Sequence, residues 1–328
     1  MQSKRAVIQS IGMSVAEKVM TNQEFEKILD TSDEWIRTRT GIVERRIAKP
    51  DEAASDFAIR ASREALERAN ASPESLDLIC VASVTGDRLF PSTSCLVQAA
   101  LGAKNAAAFD VGAACAGFIY ACEIVGSMIQ SGSIHRALVI GVDVLTKFVD
   151  WSDRSTAILF GDGGGAAYME SGEGDRGVIA TVMHSDGEGA ERIRIQIGGS
   201  RFPVCAPHSK GQSPFLYMEG REVYRFAVKA MGESCCEVLK KAGMNPEDVT
   251  LFVPHQANLR IIQAAADRIG LPWEKVFINV DKYGNMGAGS IPVALYEAEQ
   301  SGMLKKGDVV LTVGFGAGLI WGANLIRW

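Results

Sequence analysis

Asp110-Val-Gly-Ala-Ala-Cys-Ala-Gly-Phe118 and Tyr283-Gly-Asn-Met-Gly-Ala-Gly-Ser290 read as one device used twice, with Cys115 and Asn285 at matched places 170 positions apart. Each follows a strand-like run, 108–111 and 276–280, and each leads into a helical stretch that closes on Gln-Ser-Gly, at 130–132 and 300–302. A hydrophobic strand then returns in both halves, at 137–142 and 308–313. The match extends upstream. A strand at 77–83 feeds a helix at 92–101 that ends at Gly102, and a strand at 248–253 feeds a helix at 257–269 that ends at Gly270. Strand–helix alternation of this kind predicts an α/β fold with parallel or mixed sheets covered by helices. The period is too long for a solenoid, so duplicated half-domains are expected, 1–170 and 171–328, joined near Ser171. Residues 181–217 are expected to elaborate the second half.

The 328 residues are 47% hydrophobic and carry a formal charge of −5. That is enough chain for two domains or one duplicated body around a large core. The acidic balance gives no support to non-specific nucleic-acid binding. No stretch has the length and apolarity of a transmembrane helix or a secretory signal. Seven scattered cysteines suit reduced thiols in a cytoplasmic enzyme. No histidine or cysteine pair has metal-ligand spacing, so no metal is expected.

Cys115 stands apart from the other thiols. A strand leads through small residues to it, and a helix that is apolar nearly all round follows. At such a helix start, unpaired backbone N–H groups and the dipole favour thiolate, the nucleophilic form. Cys80, Cys122 and Cys236 read instead as small buried hydrophobes, and Cys95, Cys205 and Cys235 have no reactive context. His255 follows a strand closed by Pro254, at the sheet mouth where α/β sites gather, although a structural histidine has the same look. His135, His184 and His208 read as solvated. Asn285 lies among glycines, which suits an ordinary turn; yet its neutral amide also suits a developing enolate oxygen. Thr31 and Glu34 read as a capping box. Gly161-Asp-Gly-Gly-Gly-Ala166 fits a dinucleotide fingerprint in form, but strand-like residues follow it, so tight turns are expected there and no nucleotide cofactor.

These residues, with Ser32-Asp-Glu-Trp-Ile36, Thr38-Arg-Thr-Gly-Ile42, Ala114-Cys-Ala-Gly117, Pro254-His-Gln-Ala-Asn-Leu-Arg-Ile261, Gly284-Asn285 and Trp321-Gly322, make the chain resemble β-ketoacyl-acyl carrier protein synthase III over essentially its whole length. The resemblance implies a thiolase-like fold with two mixed sheets in α-β-α-β-α layers, and a cytoplasmic homodimer. It implies a decarboxylating condensation of an acyl-CoA primer with malonyl-acyl carrier protein, initiating fatty-acid synthesis without a cofactor. Cys115 would be acylated, and His255 and Asn285 would hold the enolate oxygen. Backbone N–H groups of Cys115 and Ala317 would hold the acyl-transfer oxyanion, with Phe315 near the departing carboxylate. Trp35, Arg39 and Arg154 would meet the CoA nucleotide, and Gly220 and Asn258 the pantetheine. Gln256, Arg260, Arg225 and Arg268 would dock the acidic carrier protein, and Phe90 would reach a partner's acyl pocket. Departures from the family pattern are Ala317 for glycine, Asp267 for lysine, Ile320 for threonine, and Met-Gly-Ala-Gly after Asn285. Two rival enzymes remain open: a condensing enzyme of polyketide or other secondary metabolism, and a cysteine thioester hydrolase, which would use the same three residue types. A non-catalytic binding module would not need all of them.

Overall fold

In the computed structural model, which describes residues 4–328, strand order shows why the sequence doubles. Strands β1 (Arg5–Val15), β2 (Leu78–Ala82), β3 (Ala107–Val111), β4 (Arg136–Val144) and β5 (Asp162–Gly172) form one sheet in the order β1-β5-β4-β2-β3. The first three neighbours are antiparallel and the last three parallel. Strands β6 (Gly177–Ser185), β7 (Leu251–Pro254), β8 (Val309–Gly316) and β9 (Ile320–Arg327) repeat the pattern as β6-β9-β8-β7, again antiparallel and then parallel. Both sheets are therefore mixed, as expected of this thiolase-like fold.

Helices fill three layers around the sheets. Helix α1 (Asp33–Thr40) lies in an excursion from the first half. Helices α2 (Ala54–Ala69) and α3 (Thr93–Leu101) cover the outer face of the first sheet, where Phe57, Ala61 and Ala65 pack on Ile79 and Ile140. Helix α4 (Gly117–Gln130) and helix α7 (Ser290–Gln300) lie between the sheets, and helices α5 (Gly220–Ala242) and α6 (Leu259–Ile269) cover the second. Phe118, Val125 and Ile129 share the middle layer with Ile291, Leu295 and strand residues from both sheets. Burial on most sides explains why α4 is so apolar; only a narrow stripe of Glu123, Ser127 and Gln130 reaches the surface.

Several expectations change at the level of residues. The strand expected over 276–280 is reduced to one parallel bridge, Val276 to Phe252, and Val280–Tyr283 is a short helix. The fully buried Gln256 side chain is the cause. Its Oε1 accepts from the Asn279 and Val280 N–H groups at 3.0 and 3.1 Å, and its Nε2 donates to the Pro254 and Phe277 carbonyls at 2.9 and 3.2 Å. One side chain thus takes the place of a β-ladder. The elaboration of the second half starts at Asp186 rather than Thr181, because Thr181 pairs with Asn324 inside the sheet. The 161–163 stretch makes no isolated turn: Gly163 and Gly164 lie in β5, opposite Asp143 and Val142. Ser32, not Thr31, caps α1, accepting from the Trp35 N–H at 3.1 Å. Cys236 is exposed while Cys235 is buried, since adjacent helix positions point about 100° apart and Met231, Cys235 and Val238 own the inner face. His184 is half-buried, bonded to Glu237 at 2.7 Å and tilted 30° against the Trp321 ring, while His135 and His208 are exposed.

Candidate active site

Cys115 occupies the middle of a 3-10 turn, Ala114–Ala116, between β3 and α4. Ala114 holds a φ of +45° there, a left-handed conformation that a residue with a Cβ adopts only under constraint. The second half carries the corresponding turn at Gly287–Gly289, where Gly287 has φ +54°. Matching the turns pairs Cys115 with Ala288. The sequence match of Cys115 with Asn285 counted back from Gln130 and Gln300, and α7 is three residues shorter than α4 (11 against 14). Asn285 therefore lies just before its turn, not within it.

The two turns are finished differently. The Ala288 N–H donates to Asp143 Oδ2 at 2.8 Å. Ladder register places Gly316 of β8 where Asp143 stands in β4. A Cβ on Gly316 would lie 2.6 Å from the Cys115 nitrogen, so only glycine leaves room beside that N–H. One turn is closed by a carboxylate, and the other is left open to a ligand.

Burial, then the nearby Asp143 carboxylate, push the Cys115 thiol up to about 12. This corrects the expectation of a resting thiolate. The helix start favours the anion, but a half-buried sulfur on an apolar-walled cavity loses more in hydration than one helix end returns. The sulfur nonetheless opens on the cavity described below. His255, 1% exposed, is pushed down to about 3 by burial and is a neutral imidazole. Its Nδ1 lies 2.5 Å from Ser290 Oγ, and Phe315 meets the ring edge-on at 5.7 Å. Asn285 Oδ1 accepts from the Gly287 N–H at 2.9 Å, which turns the NH2 end outward. Its backbone is clamped as well: Asn285 N–H donates to Leu159 and Gly161 N–H donates to Asn285, at 2.8 and 3.0 Å.

Cys115, His255, Asn285, Phe315 and Ala317 line one cavity of about 300 Å³. Gly220 and Asn258 line it too, and Leu145, Leu159, Ile195 and Met218 make its wall apolar. Trp35, Arg39 and Arg154 gather outside it. The two guanidinium groups lie 5.0 and 4.6 Å from the Trp35 ring, and Asn258 Nδ2 donates to the Arg39 carbonyl at 3.0 Å. Arg225, Arg260 and Arg268 are exposed, but Arg225 and Arg268 pair with Glu222 and Glu233. Gln256 does not join them: fully buried on backbone partners, it offers nothing to a docking protein. Phe90 is 84% exposed beside Leu89.

The sequence reading assigned no role to Asp143, Ser290 or Gly316. Asp143 carried a signal, as an ionisable group ending an otherwise apolar strand run; Ser290 and Gly316 carried none. Among the described residues no three His, Cys, Asp or Glu side chains converge as metal ligands, and no helix is long and apolar enough to cross a membrane.

Family profiles match the chain twice: 3-oxoacyl-[acyl-carrier-protein] synthase III over residues 109–187, and its C-terminal region over residues 239–328. A β-ketoacyl-[acyl-carrier-protein] synthase III of Caldanaerobacter subterraneus is 50% identical over 323 residues, 98% of each chain. The crystal structure of 3-oxoacyl-[acyl-carrier-protein] synthase III from Aquifex aeolicus superposes with a TM-score of 0.91 at 48% identity, covering 99% of this chain and 100% of that one. A priming β-ketosynthase of a polyketide biosynthetic pathway superposes with a TM-score of 0.92 at 35% identity, covering 99% and 97%. With the duplicated sheets, the cavity and these likenesses in hand, the chain belongs to the β-ketoacyl-acyl carrier protein synthase III family of condensing acyltransferases.

Proposed function

We propose that the protein joins an acyl-CoA primer to malonyl-acyl carrier protein through an acyl-Cys115 intermediate, with loss of carbon dioxide, and so starts fatty-acid synthesis. The observation that carries this reading is the convergence of Cys115, His255 and Asn285 on one apolar cavity, with two neutral polar side chains facing a neutral thiol. Cys115 attacks the thioester carbon, the CoA sulfur departs, and the thiol proton leaves with it. N–H groups of Cys115 and Ala317 hold the oxyanion; the donor is backbone, so alanine serves as glycine does. The malonyl carboxylate then leaves as carbon dioxide, and the enolate oxygen is held by His255 and Asn285. Attack of the enolate carbon on acyl-Cys115 forms the carbon–carbon bond and frees the sulfur. Phe315 supplies an apolar face against the departing carboxylate.

Trp35 with Arg39 and Arg154 is assigned to the nucleotide of CoA, where fork-shaped cations and an indole suit phosphate and ring faces. Gly220 and Asn258 take the pantetheine arm. Arg260, Arg225 and Arg268 take the carrier protein, while the carboxylates already paired with two of them, and Asp267, weaken that surface. Phe90 takes a homodimer contact. The halves divide at 170/171. The reading invokes no resident cofactor and places the protein in the cytoplasm.

Intact-protein mass spectrometry after mixing with a panel of acyl-CoAs, then malonyl-carrier protein, tests the chemistry. The adduct should map to Cys115 and be consumed only when the malonyl donor arrives. An adduct lost to water without the donor would mark a thioester hydrolase. Likeness to the polyketide priming enzyme supports a second reading, a primer loaded for secondary metabolism. Preference within the acyl-CoA panel separates the two.

A further inference from the structure

Ser290 opens α7 with its side chain fully buried against the active-site histidine. Its Oγ has two hydrogen-bond partners among the described residues: His255 Nδ1 at 2.5 Å and the Gln256 backbone N–H at 3.4 Å. The amide can only donate, so the hydroxyl oxygen accepts from it. The single hydroxyl proton is then left with one acceptor, Nδ1.

We propose that Ser290 is a positioning residue that fixes the tautomer of His255: its hydroxyl donates to Nδ1, and the ring proton is held on Nε2, toward the cavity. The opposite arrangement, with Nδ1–H donating to Oγ, would strand the hydroxyl proton in a buried site without an acceptor. Burial keeps the ring neutral, so the tautomer decides whether the cavity meets a donor or an acceptor. Asn285 is treated alike, since the Gly287 N–H occupies its Oδ1 and leaves Nδ2 to face the ligand. Two neutral donors therefore converge, each with its polarity set from behind.

This inference rests on the catalytic reading above and sharpens it. A ring with its proton on Nε2 cannot take one from Cys115. On acylation the sulfur–acyl bond forms as the acyl–CoA sulfur bond breaks, and the Cys115 proton passes to the departing CoA sulfur. On condensation the acyl–Cys115 bond breaks as the carbon–carbon bond forms; Nε2–H hydrogen-bonds the sulfur anion that results, and a proton from solvent water restores the thiol. His255 thus acts as a hydrogen-bond donor in the condensation half and as a base in neither.

The test uses full-length protein labelled with 15N-histidine, with His255 assigned by comparison with His255→Asn. The resting spectrum should show Nε2 as the protonated nitrogen and Nδ1 as the bare one. Ser290→Ala should mix the tautomers and slow malonyl-thioester decarboxylation about tenfold or more, with a smaller loss in acyl-Cys115 formation. Ser290→Thr, which keeps the hydroxyl, should restore both the spectrum and the rate. A wild-type ring protonated on Nδ1 overturns the proposal, as does a Ser290→Ala protein whose spectrum and decarboxylation are unchanged. The spectrum is read without substrate, so it judges the tautomer even where no acyl adduct forms, a result that would sink the catalytic reading instead.

Discussion

Cys115 and His255 are both neutral at rest, and their signs of pH dependence are opposite. His255 is depressed to about 3 in the fold from an ordinary 6.5. Its contribution to stability is complete above 6.5 and is lost as pH falls toward 3, because the unfolded chain takes up the proton first. The full shift corresponds to at most about 5 kcal/mol. Urea midpoints should fall as pH drops from about 6 to about 4, and less steeply in a His255→Asn protein; identical acid limbs would remove this assignment. Cys115 is raised from 9.0 to about 12, so its contribution is complete below 9.0 and is lost as pH climbs toward 12. For catalysis the sharper residue is Asn285. Asn285→Ala should cut decarboxylation about 10²- to 10³-fold, while mass spectrometry still finds acyl-Cys115.

Elements decide what those residues can reach. Gly316 in β8 lies against the Cys115 nitrogen, so Gly316→Ala forces a shift of the Ala114–Ala116 turn. Its expected cost is about 1–3 kcal/mol in stability, with a slower acylation burst than any loss of folded protein explains. Unchanged burst kinetics would show that the turn tolerates the methyl group. Gln256 stands in for a strand, and Gln256→Ala leaves four backbone groups of 254–280 without their partner. About 2–4 kcal/mol should be lost, with hydrogen exchange speeding first at Asn279 and Val280. Alternation and apolar runs made most elements legible beforehand: β2, β3, α4 and α6 fall where periodicity placed them. The missing fifth strand was not legible, because Gln256, 23 positions before Asn279, had already taken its N–H groups.

Across the whole molecule, two nearly bare side chains, Leu89 at 82% and Phe90 at 84% exposure, are more than a lone surface apolar residue explains. If they form the homodimer contact, light scattering should give a dimer for the wild type and a shift toward monomer for Phe90→Asp; a monomeric wild type would end that assignment. The duplicated order of strands and helices and the candidate nucleophile were present in the chain itself, because periodicity and small residues around a turn are local properties; the pairing of His255 with Asn285 came from the family resemblance. What needed three dimensions was the state of those groups. Cys115 reads as a thiolate from its helix start, while burial and then Asp143 push it toward the thiol. Gln256 reads as surface and is core because its amide closes a ladder. Ser290 gains meaning only where α7 meets β7, since hydration and hydrogen-bond partners belong to the packed chain and not to the order of its residues.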